Sequence, residues 1–161
     1  MPDDSDFEPE TLKPLDLRVA RVIEAREHPN ADRLIILDID LGTEERQIVA
    51  GIAGKYELDA LKGERIVVVA NLEAAELRGE RSQGMLLAAQ GEDRLGVLFA
   101  DAEPGTRLTT PSMGEPGPDK ISIHDFAAHE LHATADGVLV DGEPLGGAPV
   151  TVDRGVTGPV K

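Results

Sequence analysis

Hydrophobic and polar positions alternate in short stretches along the first two thirds of the chain, a pattern typical of β-strands. Residues 15–25 alternate and then change phase at Val22, which predicts a long strand that is bent or bulged. Two β-rich stretches, 34–41 and 46–50, flank a Thr-Glu-Glu turn and predict a hairpin. The first part of the fold is therefore predicted to be antiparallel.

The middle of the chain continues this pattern around one short helix. Residues 56–61 predict a helical turn that closes at Lys62-Gly63. An Ile-Val-Val-Val run within 65–70 predicts a fully buried strand. Residues 71–81 are polar and interrupted by glycine, ahead of the next strand. Further strands are predicted at 84–89 and 95–100, and Pro104-Gly105 predicts a turn before residues 107–108.

This order of short strands, with a helix between the third and the fourth, describes a small closed β-barrel. The OB-fold has that order of elements, although an SH3-like barrel or a sandwich gives a similar pattern. We therefore predict an all-β fold with one or two short helices. It consists of a five-stranded OB-fold barrel over residues 15–109 and a small C-terminal β appendage.

The last third of the chain has a different composition and a different pattern of predicted elements. A stretch rich in proline and glycine at 111–118 predicts a linker or extended loop. Short strands are predicted at 121–123, 130–133 and 138–140, with hairpin turns at the two Asp-Gly pairs that begin at 136 and 141. Residues 110–161 are expected to pack on the barrel or to form a dimer or pseudo-dimer contact. Residues 1–14, which are acidic and rich in proline, are expected to form a flexible tail.

Composition narrows the possible chemistry. Aromatic residues make up 2% of the chain, so its core must be built from valine, isoleucine, leucine and alanine. The absence of cysteine excludes disulfides, thiolate catalysis and cysteine-based zinc sites. No apolar run approaches the roughly 18 residues of a membrane span, and the N-terminus lacks signal-peptide features. A cytoplasmic protein without membrane contact is the expectation.

The net charge of −15 argues at first against a nucleic-acid partner, because phosphate binding rests on lysine and arginine. Twelve of the sixteen basic residues lie between residues 15 and 110, however, where they can form a local patch on an acidic body. The chain is also strongly acidic and poor in lysine. Dense surface carboxylates keep a protein soluble at high salt, so this composition favours an origin in a halophilic archaeon.

Three stretches of the central segment follow one another in a specific order. The first is residues 16–25 together with His-Pro-Asn-Ala-Asp-Arg-Leu at 28–34. The second is Arg-Gln-Ile-Val-Ala-Gly-Ile at 46–52. The third is Val-Val-Val-Ala-Asn-Leu at 67–72, followed by Leu-Arg-Gly at 77–79 and Ser-Gln-Gly-Met-Leu-Leu-Ala-Ala at 82–89. Together they resemble the tRNA-binding domain of methionyl-tRNA synthetases and their beta-type subunits, of free-standing tRNA-binding proteins and of endothelial monocyte-activating polypeptide-like modules. Residues 129–134, 136–139 and 155–161 are more loosely similar to the C-terminal appendage of longer members.

The resemblance implies a non-catalytic protein that recognises folded tRNA and acts in trans with an aminoacyl-tRNA synthetase, with the methionyl enzyme as the expected partner. Family members grip the outer corner of tRNA through its shape, and the shortage of aromatic residues also argues against base stacking. By motif position the implied RNA-binding residues are Arg33, Asn71, Arg78, Ser82, Gln83 and Met85.

The chain departs from the family pattern at Glu73, Glu76 and Glu80, where many members carry lysine. This loss of positive charge leaves open a structural assembly module with a weakened RNA site. A chaperone-like peptide-binding OB-fold protein is a second alternative, because the same barrel occurs in export-related chaperones, although those lack such an appendage. Longer family members are pseudo-dimeric monomers and shorter ones are homodimers, and the appendage favours a monomer or weak dimer.

No element of the sequence supports an enzyme, a cofactor or a metal site. The chain has neither a P-loop nor a paired nucleophile and base. His124, His129 and His132 cluster in sequence, but no fourth metal ligand accompanies them.

Overall fold

The computed structural model describes residues 13–92, 94–117 and 119–161. Within these residues the chain forms fifteen β-strands, two short α-helices and one 3₁₀ turn over Asp153–Gly155. The elements are β1 Leu17–Glu27, β2 Ile35–Asp40, β3 Glu45–Ala50, α1 Leu58–Leu61, β4 Arg65–Val69, β5 Ala75–Leu77, β6 Glu80–Ser82, β7 Met85–Leu86, β8 Ala88–Gln90, β9 Leu95–Ala100, β10 Arg107–Leu108, α2 Ile123–Ala127, β11 Leu131–Thr134, β12 Gly137–Val140, β13 Glu143–Pro144, β14 Val150–Val152 and β15 Gly158–Pro159.

Strand β1 belongs to two parts of the barrel because it bends in its middle. Its first half pairs antiparallel with β4, and its second half pairs antiparallel with β2. The register shifts between Val22 and Glu24, which is the bulge that the change of hydrophobic phase predicts. Since a bulge increases local bend and twist, it lets one strand turn the corner of a small barrel.

The far edge of the barrel, strand β3, is closed by the segment that follows β6. The Gln83 backbone N–H donates to the Gln47 carbonyl at 2.8 Å, and the Val49 N–H donates to the Ser82 hydroxyl at 2.9 Å. These bonds satisfy the outer edge of β3, which would otherwise expose unpaired backbone groups. The sheet order β14-β9-β4-β1-β2-β3 is thereby brought round into a barrel.

Strands β4 and β9 and the first half of β1 contribute side chains to core clusters on both faces. Ile66 and Val68 point into the barrel interior, while Val67 and Val69 belong to a second core cluster on the opposite face. This second face is covered by the C-terminal segment, whose Leu131 is buried in the same cluster. The predicted fully buried strand is confirmed, and the uninterrupted Ile-Val-Val-Val run follows from burial on both sides.

The C-terminal segment forms its own four-stranded sheet, in the order β13-β12-β11-β15, against the barrel. It also adds β14 to the barrel sheet by pairing with β9. The Asp141-Gly142 turn joins β12 to β13 with positive φ angles of 52° and 85°, as a type I′ hairpin requires. Barrel and appendage therefore share one hydrophobic core.

The all-β class with two short helices is confirmed, but the expected elements differ in several places, and strands β13, β14 and β15 lie where no strand was predicted. Residues 71–81 hold the hairpin β5–β6, and 84–89 is divided between β7 and β8. The prediction of a strand at 121–123 is wrong. Ser122 caps helix α2 there by accepting a bond from the Asp125 N–H at 3.0 Å, while the Asp125 carboxylate accepts the Ser122 N–H at 2.9 Å. Such a reciprocal box starts a helix in spite of the β-branched neighbours.

The predicted tail at 1–14 lies mostly outside the described residues, and the division near residue 110 stays a prediction. In the part of the chain that the structure covers, no helix is both long enough and apolar enough to cross a membrane.

Candidate nucleic-acid interface

The loop 28–34, between β1 and β2, meets the hairpin β5–β6 at one end of the barrel, and we call this the loop–hairpin surface. The two segments are joined by His28, whose ring lies 2.9 Å from the Leu77 carbonyl oxygen through Nε2. Asn30 lies beside the hairpin tip, since a Cβ added at Gly79 would be 3.9 Å from its Nδ2. These segments correspond to the loops around the binding face of an OB-fold.

Arg78 and Gly79 form the tip of the hairpin. Leu77 pairs with Glu80, so only these two residues make the turn, and their φ angles are 55° and 94°. A type I′ turn requires positive φ at both positions, which glycine adopts freely. An arginine in this conformation costs roughly 1–2 kcal/mol. The fold therefore holds the Arg78 side chain at an exposed tip at some cost in stability.

Arg33 and Arg78 are exposed, and neither forms an ion pair with another residue in the described part of the chain. Several other arginines are engaged within the protein. Arg26 contacts the Asp38 carboxylate at 2.6 Å, and Arg46 donates to the Ala70 carbonyl at 2.6 Å. The guanidinium groups of Arg33 and Arg78 are therefore left to interact with an external anion. Arg81 on β6 is also exposed and without an ion pair among the described residues, and it adds a third guanidinium group to the loop–hairpin surface.

The three glutamates that depart from the family pattern lie on or next to the same hairpin. Glu73 and Glu76 are exposed, and Glu76 stands directly across from Arg81 in the β5–β6 pair. Glu80 is half-buried, and its carboxylate accepts a long bond of 3.4 Å from Gln47. Acidic charge thus extends along the hairpin, with Glu80 directly beside the tip that carries Arg78.

Asn71 and Ser82, two of the predicted RNA contacts, have their polar groups occupied within the protein. The Asn71 side chain accepts the Asp16 N–H and donates to the Pro14 carbonyl, both at 3.0 Å. The Ser82 hydroxyl accepts the Val49 N–H and donates to the Gly84 carbonyl, both at 2.9 Å. Both residues are less than a tenth exposed. That they contact RNA stays a prediction, but the structure gives them a role in holding the barrel.

Gln83 and Met85 occupy intermediate positions. The Gln83 side-chain oxygen accepts the Gln47 N–H at 3.3 Å, which turns it toward β3. Met85 is half-buried and packs against the core cluster shared with the appendage. Of the six predicted site residues, the structure thus exposes Arg33 and Arg78 and uses the other four at least partly for packing or barrel closure.

An apolar groove of about 540 Å³ runs beside the hairpin. Leu77 and Ile123, the two large hydrophobic side chains most exposed in the described residues, lie on its walls. Met85 and Leu86 line its floor, and Lys161 lies at its edge. The sequence does not reveal this groove, because the groove forms between the barrel and α2, which are far apart in the chain.

The histidines of the appendage do not converge. The His129 ring lies 2.6 Å from the Asp141 carboxylate and 2.7 Å from the Lys13 carbonyl, so both of its nitrogens are engaged. His124 and His132 are exposed. No group of three or more metal-ligating side chains occurs within the described ranges.

Comparison with known proteins gives a family for the barrel. Residues 17–107, more than half of the chain, match the tRNA binding domain family. The methionine–tRNA ligase of Thermotoga maritima is 55% identical over 97 residues, which is 59% of this chain and 15% of the ligase. The chain spans only 12–15% of the length of the curated relatives it matches, so the similarity concerns one module of much longer enzymes.

Solved structures agree with this family and extend the likeness to the appendage. The MetRS related protein of Pyrococcus horikoshii is 31% identical with a TM-score of 0.55, covering 66% of this chain and 96% of that one. The chaperone CsaA of Bacillus anthracis is 30% identical with a TM-score of 0.53, covering 68% and 99%. The C-terminal domain of Plasmodium vivax p43 has a TM-score of 0.72 over 92% and 98% of the two chains. At 23% identity this last likeness shows a shared fold that includes the appendage.

Proposed function

The chain belongs to the tRNA binding domain family, and from this premise we propose that it binds folded tRNA without acting on it chemically. The observation that carries the proposal is that Arg33 and Arg78 lie exposed on the loop–hairpin surface and form no ion pair with any described residue. Both stand on segments that the barrel holds in place. Guanidinium groups fixed in this way suit phosphate oxygens, which position a folded nucleic acid on a protein.

The mode of recognition that fits the structure is shape rather than base stacking. Tyr56 is the single tyrosine, and the chain has no tryptophan. The Tyr56 hydroxyl accepts the Val97 N–H at 2.9 Å, and Arg154 lies 4.4 Å from the centre of its ring. This ring is therefore engaged in holding the appendage to the barrel. Contacts to phosphates and 2′-hydroxyls remain as the means of recognition.

We propose further that the protein serves an aminoacyl-tRNA synthetase in trans, with the methionyl enzyme as the partner. The support is the high identity between this barrel and a short module of methionine–tRNA ligases. A separate tRNA-binding module that associates with a synthetase raises the effective concentration of tRNA at that enzyme. Such a role needs no catalytic group in the module itself.

A tRNA titration tests the function, with dissociation constants measured at 0.1 M and at molar KCl. We expect Arg33→Ala and Arg78→Asn to weaken binding several-fold each and to lower the slope of log affinity against log salt by about 1 per lost phosphate contact. The matched control is Arg21→Ala, which removes an exposed arginine of β1 far from the loop–hairpin surface. The proposal fails if wild-type protein binds tRNA at neither salt concentration, or if the control weakens binding as much as the two site variants.

We also propose that the protein is adapted to high salt and comes from a halophilic archaeon. The support is the excess of 31 acidic over 16 basic residues, spread along the chain. Self-repulsion of these charges destabilises the folded state at low ionic strength and is screened by salt. The melting temperature is expected to rise between low and molar KCl, and an equal melting temperature under both conditions would contradict the proposal.

The apolar groove beside the hairpin supports one alternative, the binding of an extended hydrophobic peptide. Its apolar lining suits aliphatic side chains, and the similarity to the chaperone CsaA points the same way. A fluorescent hydrophobic peptide distinguishes the two functions. Under the alternative, the peptide binds and Leu77→Ser abolishes its binding, while Arg33→Ala has no effect. Under the tRNA-binding function, the peptide does not bind.

A further inference from the structure

We propose that His28 is a positioning residue that fixes Arg33 and Arg78 relative to each other by bonding the hairpin tip to the loop 28–34. The inference rests on the proposed function, because it concerns the geometry of the two arginines that meet RNA. His28 lies in the loop 28–34. Its neutral ring offers no charge to a phosphate, so the proposed role is to position other residues.

The protonation pattern of the His28 ring follows from its two partners. The Asn30 N–H donates to Nδ1 at 2.9 Å, so Nδ1 must present its lone pair. The ring proton therefore lies on Nε2, which donates to the Leu77 carbonyl oxygen at 2.9 Å. Both nitrogens are satisfied, as a side chain with only 6% exposure requires.

The bond to Leu77 holds the hairpin at its free end. The other end is attached to β3, where Gln47 donates to the Arg81 carbonyl at 2.8 Å and the Val49 N–H donates to Ser82. Among the described residues, the His28–Leu77 bond is the only hydrogen bond between the loop 28–34 and the hairpin β5–β6. Without it, no hydrogen bond among the described residues ties the hairpin to the loop, and the hairpin is held by its own short strand pair and by the bonds from β3 to β6.

The consequence for RNA binding is preorganisation. Arg78 directly follows Leu77, and Arg33 lies in the same loop as the His28–Asn30 turn, so one imidazole connects the backbones that carry both arginines. A pair of cations held at a fixed separation meets two phosphates without first ordering a mobile hairpin. This lowers the entropic cost of binding.

Two conservative variants separate the two bonds of the ring. His28→Asn retains an acceptor near Nδ1 for the Asn30 N–H but has no group that reaches Leu77. His28→Gln places an amide N–H near the position of Nε2 and can retain the bond to Leu77. We expect His28→Asn to weaken tRNA binding roughly two- to tenfold and His28→Gln to remain within about twofold of wild type. His132→Asn, which removes an exposed histidine of β11, is the matched control and is expected to bind as wild type does.

Amide hydrogen exchange without RNA provides a second readout that is independent of the proposed function. The amides of 76–81 are expected to exchange faster in His28→Asn than in wild type, and His28→Gln is expected to restore slow exchange. Rescue by glutamine in both measurements supports the role of the Nε2 bond. Equal exchange in the asparagine variant and the wild type would overturn the proposal, as would equal tRNA binding. If wild-type protein binds no tRNA, the proposed function fails, while the exchange data still decide whether His28 holds the hairpin.

Discussion

At the scale of single residues, the backbone conformation of Arg78 means that one substitution is expected to change stability and tRNA binding in opposite directions. Its φ of 55° is costly for an arginine, and asparagine adopts this region far more readily. Arg78→Asn is therefore expected to raise the free energy of unfolding by about 0.5–1 kcal/mol, measured by urea denaturation. The same variant is expected to weaken tRNA binding because the guanidinium group is lost.

The comparison variant is Arg33→Ala, which removes a similar charge from the loop without relieving backbone strain. It is expected to weaken tRNA binding and leave the unfolding free energy nearly unchanged. A loss of stability in Arg78→Asn would contradict the assignment of strain to the hairpin tip.

Ser82 shows the limit of assigning single residues by motif. A serine in this motif offers a hydroxyl suited to RNA, but the fold places that hydroxyl between the Val49 N–H and the Gly84 carbonyl. Ser82→Ala leaves the buried Val49 N–H without a partner and is expected to cost about 1–3 kcal/mol of unfolding free energy. Urea denaturation measures this loss. A neutral effect on stability would show that the serine does not close the barrel.

At the scale of elements, the contact between Tyr56 and Arg154 joins the segment before α1 to the 3₁₀ turn of the appendage. Arg154 lies over the Tyr56 ring and donates to the Lys55 carbonyl at 3.0 Å. Burial of the Tyr56 hydroxyl, aided by the nearby Asp153 carboxylate, raises the pKa of this phenol from 10.0 to about 12. The phenol thus stays protonated in the folded state at a pH where it ionises in the unfolded chain.

Because the folded pKa is higher than the unfolded one, the contribution of Tyr56 to stability is complete below pH 10.0 and declines up to about pH 12. Ultraviolet absorbance can follow this titration directly, since Tyr56 is the only tyrosine and tryptophan is absent. The difference in unfolding free energy between wild type and Tyr56→Phe is expected to shrink across that pH range. A phenol that titrates at its ordinary pKa in the folded protein would contradict this contact.

At the scale of the whole molecule, the appendage covers a face of the barrel that would otherwise be apolar and exposed. Leu131 and Val138 are buried in one cluster with Leu17 and Val69 of the barrel. The sequence left a monomer or a weak dimer open, and on the basis of this cover we propose the monomer. Light scattering is then expected to give a mass of 17.1 kDa, and a mass near twice that value would overturn the proposal.

The shared core also predicts how the appendage affects stability. Leu131→Ala is expected to lower the free energy of unfolding by about 2–5 kcal/mol, as for other buried leucines. Barrel and appendage are expected to unfold in a single transition, measured by urea denaturation. Separate transitions would show that the appendage is an independent unit.

The sequence by itself determined the local elements of this protein, because alternation, β-branching and turn residues act over a few neighbouring positions. The bulged first strand, the hairpin β2–β3 and the buried strand β4 all follow from such patterns. The family motifs likewise placed Arg33 and Arg78 at the candidate site, where the structure exposes both.

Tertiary structure alone decided which polar groups remain free. The bonds of His28 to Leu77, Ser82 to Val49 and Asn71 to Asp16 join residues 33 to 55 positions apart, and nothing in the local pattern specifies them. A buried polar side chain must find a partner within the fold, and its partner depends on which segments the barrel brings together. For this reason the sequence could predict the candidate interface, whereas only the fold shows that Asn71 and Ser82 are occupied in holding the barrel.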